Sequence, residues 1–335
     1  MSKEHAMMAA LEARVLRREE RRRFFKFAGS TAAVLTGATL LSACGGESGD
    51  DSGATPAPAP APAPTPAPTA MVSDADVLNF ALNLEYLEAQ FYSYAVTGSG
   101  LPENLLGGSG DRGAVIGGRK VNFTDPVVAQ YAAEIQQDEV NHVAFLRAAL
   151  GGSAVAQPAI DVGTDPNGAF SAAARASGLV GTGQAFDPYA SDEAFLLGAY
   201  IFEDVGVTAY KGAAPLITDK TYLEAAAGIL AAEAYHAGLI RTILYRKGLD
   251  TPSLRNSTEA ISNARDSLDG GSDLDQGIAT VGDQSNIVPT DANGLAFSRS
   301  TGQVLNIVYL NRLAVSRGGF FPAGVNGTIK TAAAN

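Results

Sequence analysis

A chain of 335 residues with 46% hydrophobic content and mean hydropathy +0.05 can bury a sizeable core, in one large or two ordinary domains. The absence of tryptophan and an aromatic share of 7% lean toward helices rather than a β-sandwich, and a formal net charge of −11 argues against nucleic acid or anionic lipid as the ligand. Cys44 is the single cysteine, so no disulfide, iron–sulfur cluster or thiolate metal site can be built within one chain.

Residues 1–43 read as an address. The stretch "RRRFFK", Arg21 to Lys26, sets the pair Arg21 and Arg22 ahead of Phe24 and Phe25, and a moderately apolar run from Phe27 to Leu41 follows. This resembles a twin-arginine export signal. The run falls short of the roughly twenty residues that span a bilayer, so a cleaved leader is the better reading than a transmembrane helix. It closes on "LSAC", Leu41 to Cys44, which is similar to a bacterial lipobox. Cys44 would then be the lipidated first residue of a mature protein exported to the cell envelope and held at a membrane. Removing the leader, with its eight Lys/Arg and four Asp/Glu, takes the formal charge from −11 to −15. Residues 44–70 include "TPAPAPAPAPTPAPT", a tether expected to extend as polyproline II at about 3 Å per residue.

From Ser73 the apolar period becomes 3.6. A first helix, capped by Ser73 or Asp74 and ending before Gly98, aligns Leu78, Ala81, Glu85, Glu88 and Tyr92. The glycine-rich loop after it is expected to fold over one end of a bundle. A second helix opens with Thr124 or Asp125 as cap and Pro126 in its first turn, and stops at Gly151. Its stripe is Val128, Ala132, Ile135, Glu139, Val143, Leu146 and Leu150. About forty residues then intervene, a length suited to a crossover along the bundle. A third helix starts near Ser191 and carries Leu196, Ala199, Glu203 and Tyr210. The fourth starts near Asp219, carries Glu233, and is expected to end before Gly248.

These four helices form a weak repeat. "LNFALNLEYLEAQFY" and "LLGAYIFEDVGVTAY" share Leu, Ala, Glu and Tyr at equal offsets, and "EVNHVAFLRAAL" and "EAYHAGLIRTIL" share Glu, His, Arg and Leu. A seven-residue step is 20° short of two turns, so Tyr92 and Tyr210 share a face with Glu85 and Glu203. Glu-x-x-His puts Glu139 beside His142 and Glu233 beside His236. The chain has three histidines; His5 is in the leader, and both others belong to these pairs.

Folding would therefore press four carboxylates and two imidazoles into an apolar core, where unpaired charge is costly. Arg147 and Arg241 could neutralise two of them, but each lies two turns and a further 80° beyond its Glu. Two divalent cations balance four carboxylates and also use the imidazoles. The proposed ligands are Glu85, Glu139, His142, Glu203, Glu233 and His236. Glu88, Asp138 and Asp204 are candidates for orienting the imidazoles, with solvated helix faces as the alternative. Tyr92 and Tyr210 could hydrogen-bond the ligand carboxylates or serve as core tyrosines.

With these motifs the chain resembles the ferritin-like superfamily, whose di-iron and di-manganese bundles place Glu on two helices and Glu-x-x-His on the other two. More closely it is similar to exported ferritin-like proteins that include the plant desiccation-related proteins. The resemblance rests on "LNLEYLEAQFY", "DEVNHVAFLRAAL" and "AAEAYHAGLIR", over roughly residues 71–250. It implies an all-α four-helix bundle with a long crossover and a centre of two Fe or Mn ions. The centre could be redox-active toward peroxide, O₂ or Fe(II), in oxidative or drying stress. A non-enzymatic envelope protein on the same scaffold is the rival reading. The leader, tether and insertions argue against a closed storage cage and leave other oligomers open. Residues 251–335 are expected to add two shorter helices, near Leu254–Leu268 and Thr301–Asn311, packed on the bundle through "NIVYL" and "GGFFPAG".

Overall fold

The computed structural model describes residues 72–280 and 282–335. Arg21, Arg22, Cys44 and the Pro-Ala tether lie outside the described residues. Among those described, seven α-helices carry the fold, and none is long and apolar enough to cross a membrane.

Helix α1, Asp74–Thr97, begins in a capping box. The Asp76 amide donates to Ser73 Oγ and the Ser73 amide to Asp76 Oδ2. Helix α2, Pro126–Leu150, is capped by Asp125 and buries the seven stripe residues named above and no others. After a short α3, Ala169–Ala176, come α4, Asp192–Ala213, capped by Ser191, and α5, Lys220–Asp250, capped by Asp219. The Asp74 carboxylate accepts from the Thr218 and Asp219 amides, tying the start of α1 to the start of α5.

The helix directions follow from side-chain pairs. Asn79 meets Ser153, Tyr86 meets Arg147 and Ser93 meets Gln136, so α1 and α2 are antiparallel. Lys247 meets Glu193 and Arg241 meets Asp204, so α4 and α5 are antiparallel too. Tyr92 meets Glu203 and Tyr210 meets Glu85, which makes α1 and α4 antiparallel. Hence α2 and α4 run the same way, and the connection between them must travel the length of the bundle. It does so through α3 and strand β2, Ile160–Asp161, which pairs in parallel with β1, Val115–Ile116, of the loop between α1 and α2.

That loop lies along α1 instead of capping one end of the bundle. Leu105 O accepts from the Tyr86 hydroxyl and the Leu101 amide donates to Gln90 Oε1. The reason is composition: α1 is buried on every face from Val77 to Ser93, so it needs cover beyond its bundle neighbours.

Helix α5 also runs past Gly248 to Asp250. A Cβ at Gly248 would stand 2.4 Å from Arg255 Cγ, so this glycine admits the next helix and does not stop its own. That next helix is α6, Pro252–Asp269, and α7 is Thr301–Val308. The tail packs on the bundle: the Phe320 ring meets Phe170 at 5.2 Å and Phe202 at 4.8 Å between centroids. Asn326 and Asn83 exchange backbone–amide hydrogen bonds. Three buried arginines fasten it further. Arg241 pairs with Asp204, Arg265 with Asp204 and Asp275, and Arg299 with Asp269 and Asp275.

Candidate metal centre

The two inner helices, α1 and α4, each send one glutamate into the bundle, and the half-exposed helices α2 and α5 each send a Glu-x-x-His pair. All six residues meet. His142 Nδ1 stands 3.2 Å from Glu85 Oε2, 3.6 Å from Glu233 Oε1 and 3.8 Å from Glu139 Oε1. His236 Nδ1 stands 3.1 Å from Glu139 Oε1 and 3.7 Å from Glu203 Oε2. The imidazole centroids are 6.1 Å apart. Each histidine thus faces the inner glutamate of its own helix pair and the glutamate of the other Glu-x-x-His helix, which places Glu139 and Glu233 between the two halves.

Much of this donor set is unsatisfied. Both oxygens of Glu139, both of Glu233, Glu203 Oε2 and His236 Nδ1 are buried with no hydrogen-bond partner. His236 Nδ1 is within ion-pair reach of Glu139 but poorly aligned for a hydrogen bond. A core that leaves several acceptors bare in this way is unfavourable unless a cation meets them. Glu85, Glu139, His142 and Glu233 offer atoms within 4.8 Å of one another, and so do Glu203, Glu233 and His236. Two groups sharing Glu233, built from carboxylate and imidazole with no thiolate, suit divalent ions other than the soft thiolate-seeking ones. The residues present could hold two divalent metals.

The protonation states fit the same picture. Burial raises Glu85 to about 7 and Glu203 to about 8, and pushes Glu233 well above the usual carboxylate range. Glu139 differs: burial would raise it, but the two imidazoles standing beside it hold it at about 2. Burial works against the imidazolium form, yet the charge of Glu85 drives His142 up to about 11. Glu139 and Glu203 drive His236 to about 9.

The tyrosines complete the set by crossing over. Tyr92 of α1 donates to Glu203 Oε1 of α4, and Tyr210 of α4 donates to Glu85 Oε1 of α1. Each inner glutamate therefore has one oxygen fixed by a phenol and the other turned to the imidazoles. Asp138 Oδ2 lies 3.2 Å from His236 Nε2 and can orient that ring.

Two candidates are placed otherwise than expected. Asp204 does not reach an imidazole, because Arg241 and Arg265 take its carboxylate. Glu88 is neither solvated nor beside a histidine; it is buried near the core glutamates. Neither arginine set aside in the sequence reaches the core glutamates, since Arg147 donates to the Tyr86 hydroxyl and Gly107 O, and the buried Arg241 is held by Asp204. Sequence reasoning did not foresee the role of Gly206. A Cβ there would stand 2.3 Å from Glu233 Oε2. The signal was the break in the repeat, where α4 has glycine at the position that Glu88 holds in α1.

Comparison with known proteins places the fold in a family. The chain is 29% identical to desiccation-related protein PCC13-62 of Craterostigma plantagineum over 271 residues, 76% of this chain and 83% of that one. It is 28% identical to ferritin-like catalase Nec2 of Nesocodon mauritianus over 273 residues, 77% and 85% of the two chains. Comparison with solved structures gives no match. The ferritin-like domain family matches residues 73–246, from the N-cap of α1 to the last turns of α5, which takes in all four site-bearing helices. Spanning just over half of the chain, that match makes it a member of the ferritin-like family.

Proposed function

We propose that this is an envelope-tethered dimetal-carboxylate protein that acts on hydrogen peroxide, converting two molecules to two of water and one of O₂. The observation that carries the reading is the set of buried, unpaired carboxylate oxygens around two facing imidazoles. The likeness to a protein named a ferritin-like catalase supports peroxide over the other oxidants that such centres accept. A pair of iron or manganese ions would supply the reversible two-electron exchange that this disproportionation needs. Glu85, Glu139, His142, Glu203, Glu233 and His236 would hold the ions. Tyr92 and Tyr210 fix the inner glutamates, and Asp138 orients His236. The apolar rings of Phe91 and Phe195 beside Tyr92, with Phe202 packed against Phe91, exclude water from that side.

The leader and tether support export and anchoring. Cys44→Ala is expected to release the protein from the membrane fraction, and replacing Arg21 and Arg22 by lysine to block export.

The central test is elemental analysis of natively exported protein together with oxygen evolution from peroxide. Two equivalents of Fe or Mn are expected, with activity lost in Glu139→Ala and His236→Ala. Finding no metal, with those variants no less stable than wild type, would leave the non-enzymatic scaffold as the reading.

A further inference from the structure

Glu88 has no place among the six proposed ligands. It lies one turn beyond Glu85 on α1 and is buried. It lies among the charges of Glu139, Glu203, Glu85 and His142, and it forms no ion pair with a lysine or arginine among the described residues. The buried acids elsewhere are satisfied: Asp204, Asp269 and Asp275 each meet at least one buried arginine, and Asp161 and Asp192 accept backbone hydrogen bonds. A fifth core glutamate left without such a partner points to a cation of another kind.

Its surroundings indicate where. A Cβ at Gly206 would stand 2.3 Å from Glu233 Oε2 and 3.5 Å from Glu88 Oε1. The two carboxylates, from α5 and α1, thus converge on one bare patch of α4. Any side chain at position 206 would push Glu233 aside, while its Cβ would meet Glu88 at an ordinary contact distance. Glu88 and Gly206 also border a cavity of about 20 Å³ between α1, α4 and the tail, otherwise lined by Leu84, Leu87, Val205 and other apolar residues. That space is about the size of one water, and it gives the carboxylate room to turn.

We propose that Glu88 is a seventh donor of the centre, joining Glu233 on the α4 side, and that Gly206 is the residue that makes room for Glu233 beside it. The proposal rests on the dimetal reading above and adds a ligand to it. Four carboxylates balance two divalent ions; a fifth gives the site an extra negative charge, matched to a centre that takes up positive charge when it is oxidised.

The test is calorimetric titration of Mn(II) and Co(II) into metal-free, full-length mature protein, with the visible spectrum of bound Co(II) as a second readout. Wild type is expected to take up two equivalents. Glu88→Gln, which keeps the shape and removes the charge, is expected to weaken one of the two sites about tenfold or more and to alter the Co(II) bands. Gly206→Ala leaves Glu88 in place and is expected to weaken the same site. Circular dichroism on each metal-free variant checks that the bundle is intact, and Glu88→Asp provides a second acid-bearing variant. Glu88→Gln with two sites of wild-type affinity and an unchanged Co(II) spectrum overturns the proposal alone. Wild-type protein that binds neither ion overturns the dimetal reading beneath it.

Discussion

Tyr92 on α1 donates its hydroxyl hydrogen to Glu203 on α4, and the repeat returns the bond in the other direction, from Tyr210 to Glu85. Each half of the centre is thus oriented by a residue of the other half's inner helix. Tyr92→Phe removes the donor to a buried carboxylate oxygen, which costs about 1–3 kcal/mol in the metal-free protein. It should also weaken metal binding on the Glu203–His236 side, while Tyr210→Phe should weaken the Glu85–His142 side. Co(II) titration of the two variants checks this: equal effects on both sites would contradict the crossed arrangement.

The six ligand-type residues were legible because they obey local spacing. Glu-x-x-His needs only one helical turn, and the stripe from Val128 to Leu150 needs only the period 3.6. The tyrosine partners were not legible. Seven residues place Tyr92 on the face of Glu85, but which carboxylate it meets depends on the direction of α4, set by a crossover pinned through β1 and β2. Asp204 was misjudged for a similar reason, since its partners Arg241 and Arg265 come from other helices, one of them in the tail. The repeat sets Gly206 of α4 at the position that Glu88 holds in α1, and spacing alone does not say what the glycine leaves room for. In the fold it is the absence of a side chain that admits Glu233 beside Glu88.

Metal uptake should release protons. In the metal-free core, His142, His236 and Glu203 hold theirs up to about 11, 9 and 8, and Glu85 to about 7. Cations must displace these protons, so apparent affinity should rise with pH between about 6 and 9. Calorimetry in buffers of different ionisation enthalpy would count the protons. The number should fall as pH passes 8 and then 9, where Glu203 and His236 have already lost theirs.

Stability of the metal-free protein should follow the same groups. Glu85 and Glu203 have folded values raised above 4.5, so burying them is easiest below 4.5 and destabilises increasingly as pH rises toward 7 and 8. The raised imidazoles contribute stability that is complete below 6.5 and lost as pH climbs through 9 and 11. Both effects run the same way. Thermal melting of metal-free protein should therefore drop between about pH 5 and 9, and metal-loaded protein should resist the drop.

Glu233→Gln should separate stability from binding. Glu233 is buried with both oxygens unpaired, and its neighbours Glu88, Glu139 and Glu85 repel its charge. A neutral amide of the same shape avoids burying that charge, so metal-free melting at pH 8 should rise, by about 2–4 °C for each kcal/mol gained in a domain of roughly this size. The same variant should lose most of the further rise that metal gives to wild type, since Glu233 belongs to both donor groups. A variant that gains no metal-free stability would mean that another group already neutralises Glu233.

The tail should loosen when one of its buried ion pairs is broken. Arg299 is fully buried, its Nε 2.6 Å from Asp269 Oδ2 and one Nη 3.1 Å from Asp275 Oδ2, with Thr208 Oγ1 accepting from the other. Removing one partner of such a pair strands the other, at a cost of about 3–5 kcal/mol. Arg299→Met should show that loss in chemical denaturation. Pairing it with Asp269→Asn should recover part, because one of the stranded carboxylates is then neutral. The interaction extends to the centre through α4, where Thr208 lies five residues beyond Glu203 and Asp204 directly follows it. Loosening the tail should therefore lower metal affinity as well as stability. If Arg299→Met lowers stability and leaves Mn(II) affinity at the wild-type value, the tail only covers the bundle and does not help to position Glu203.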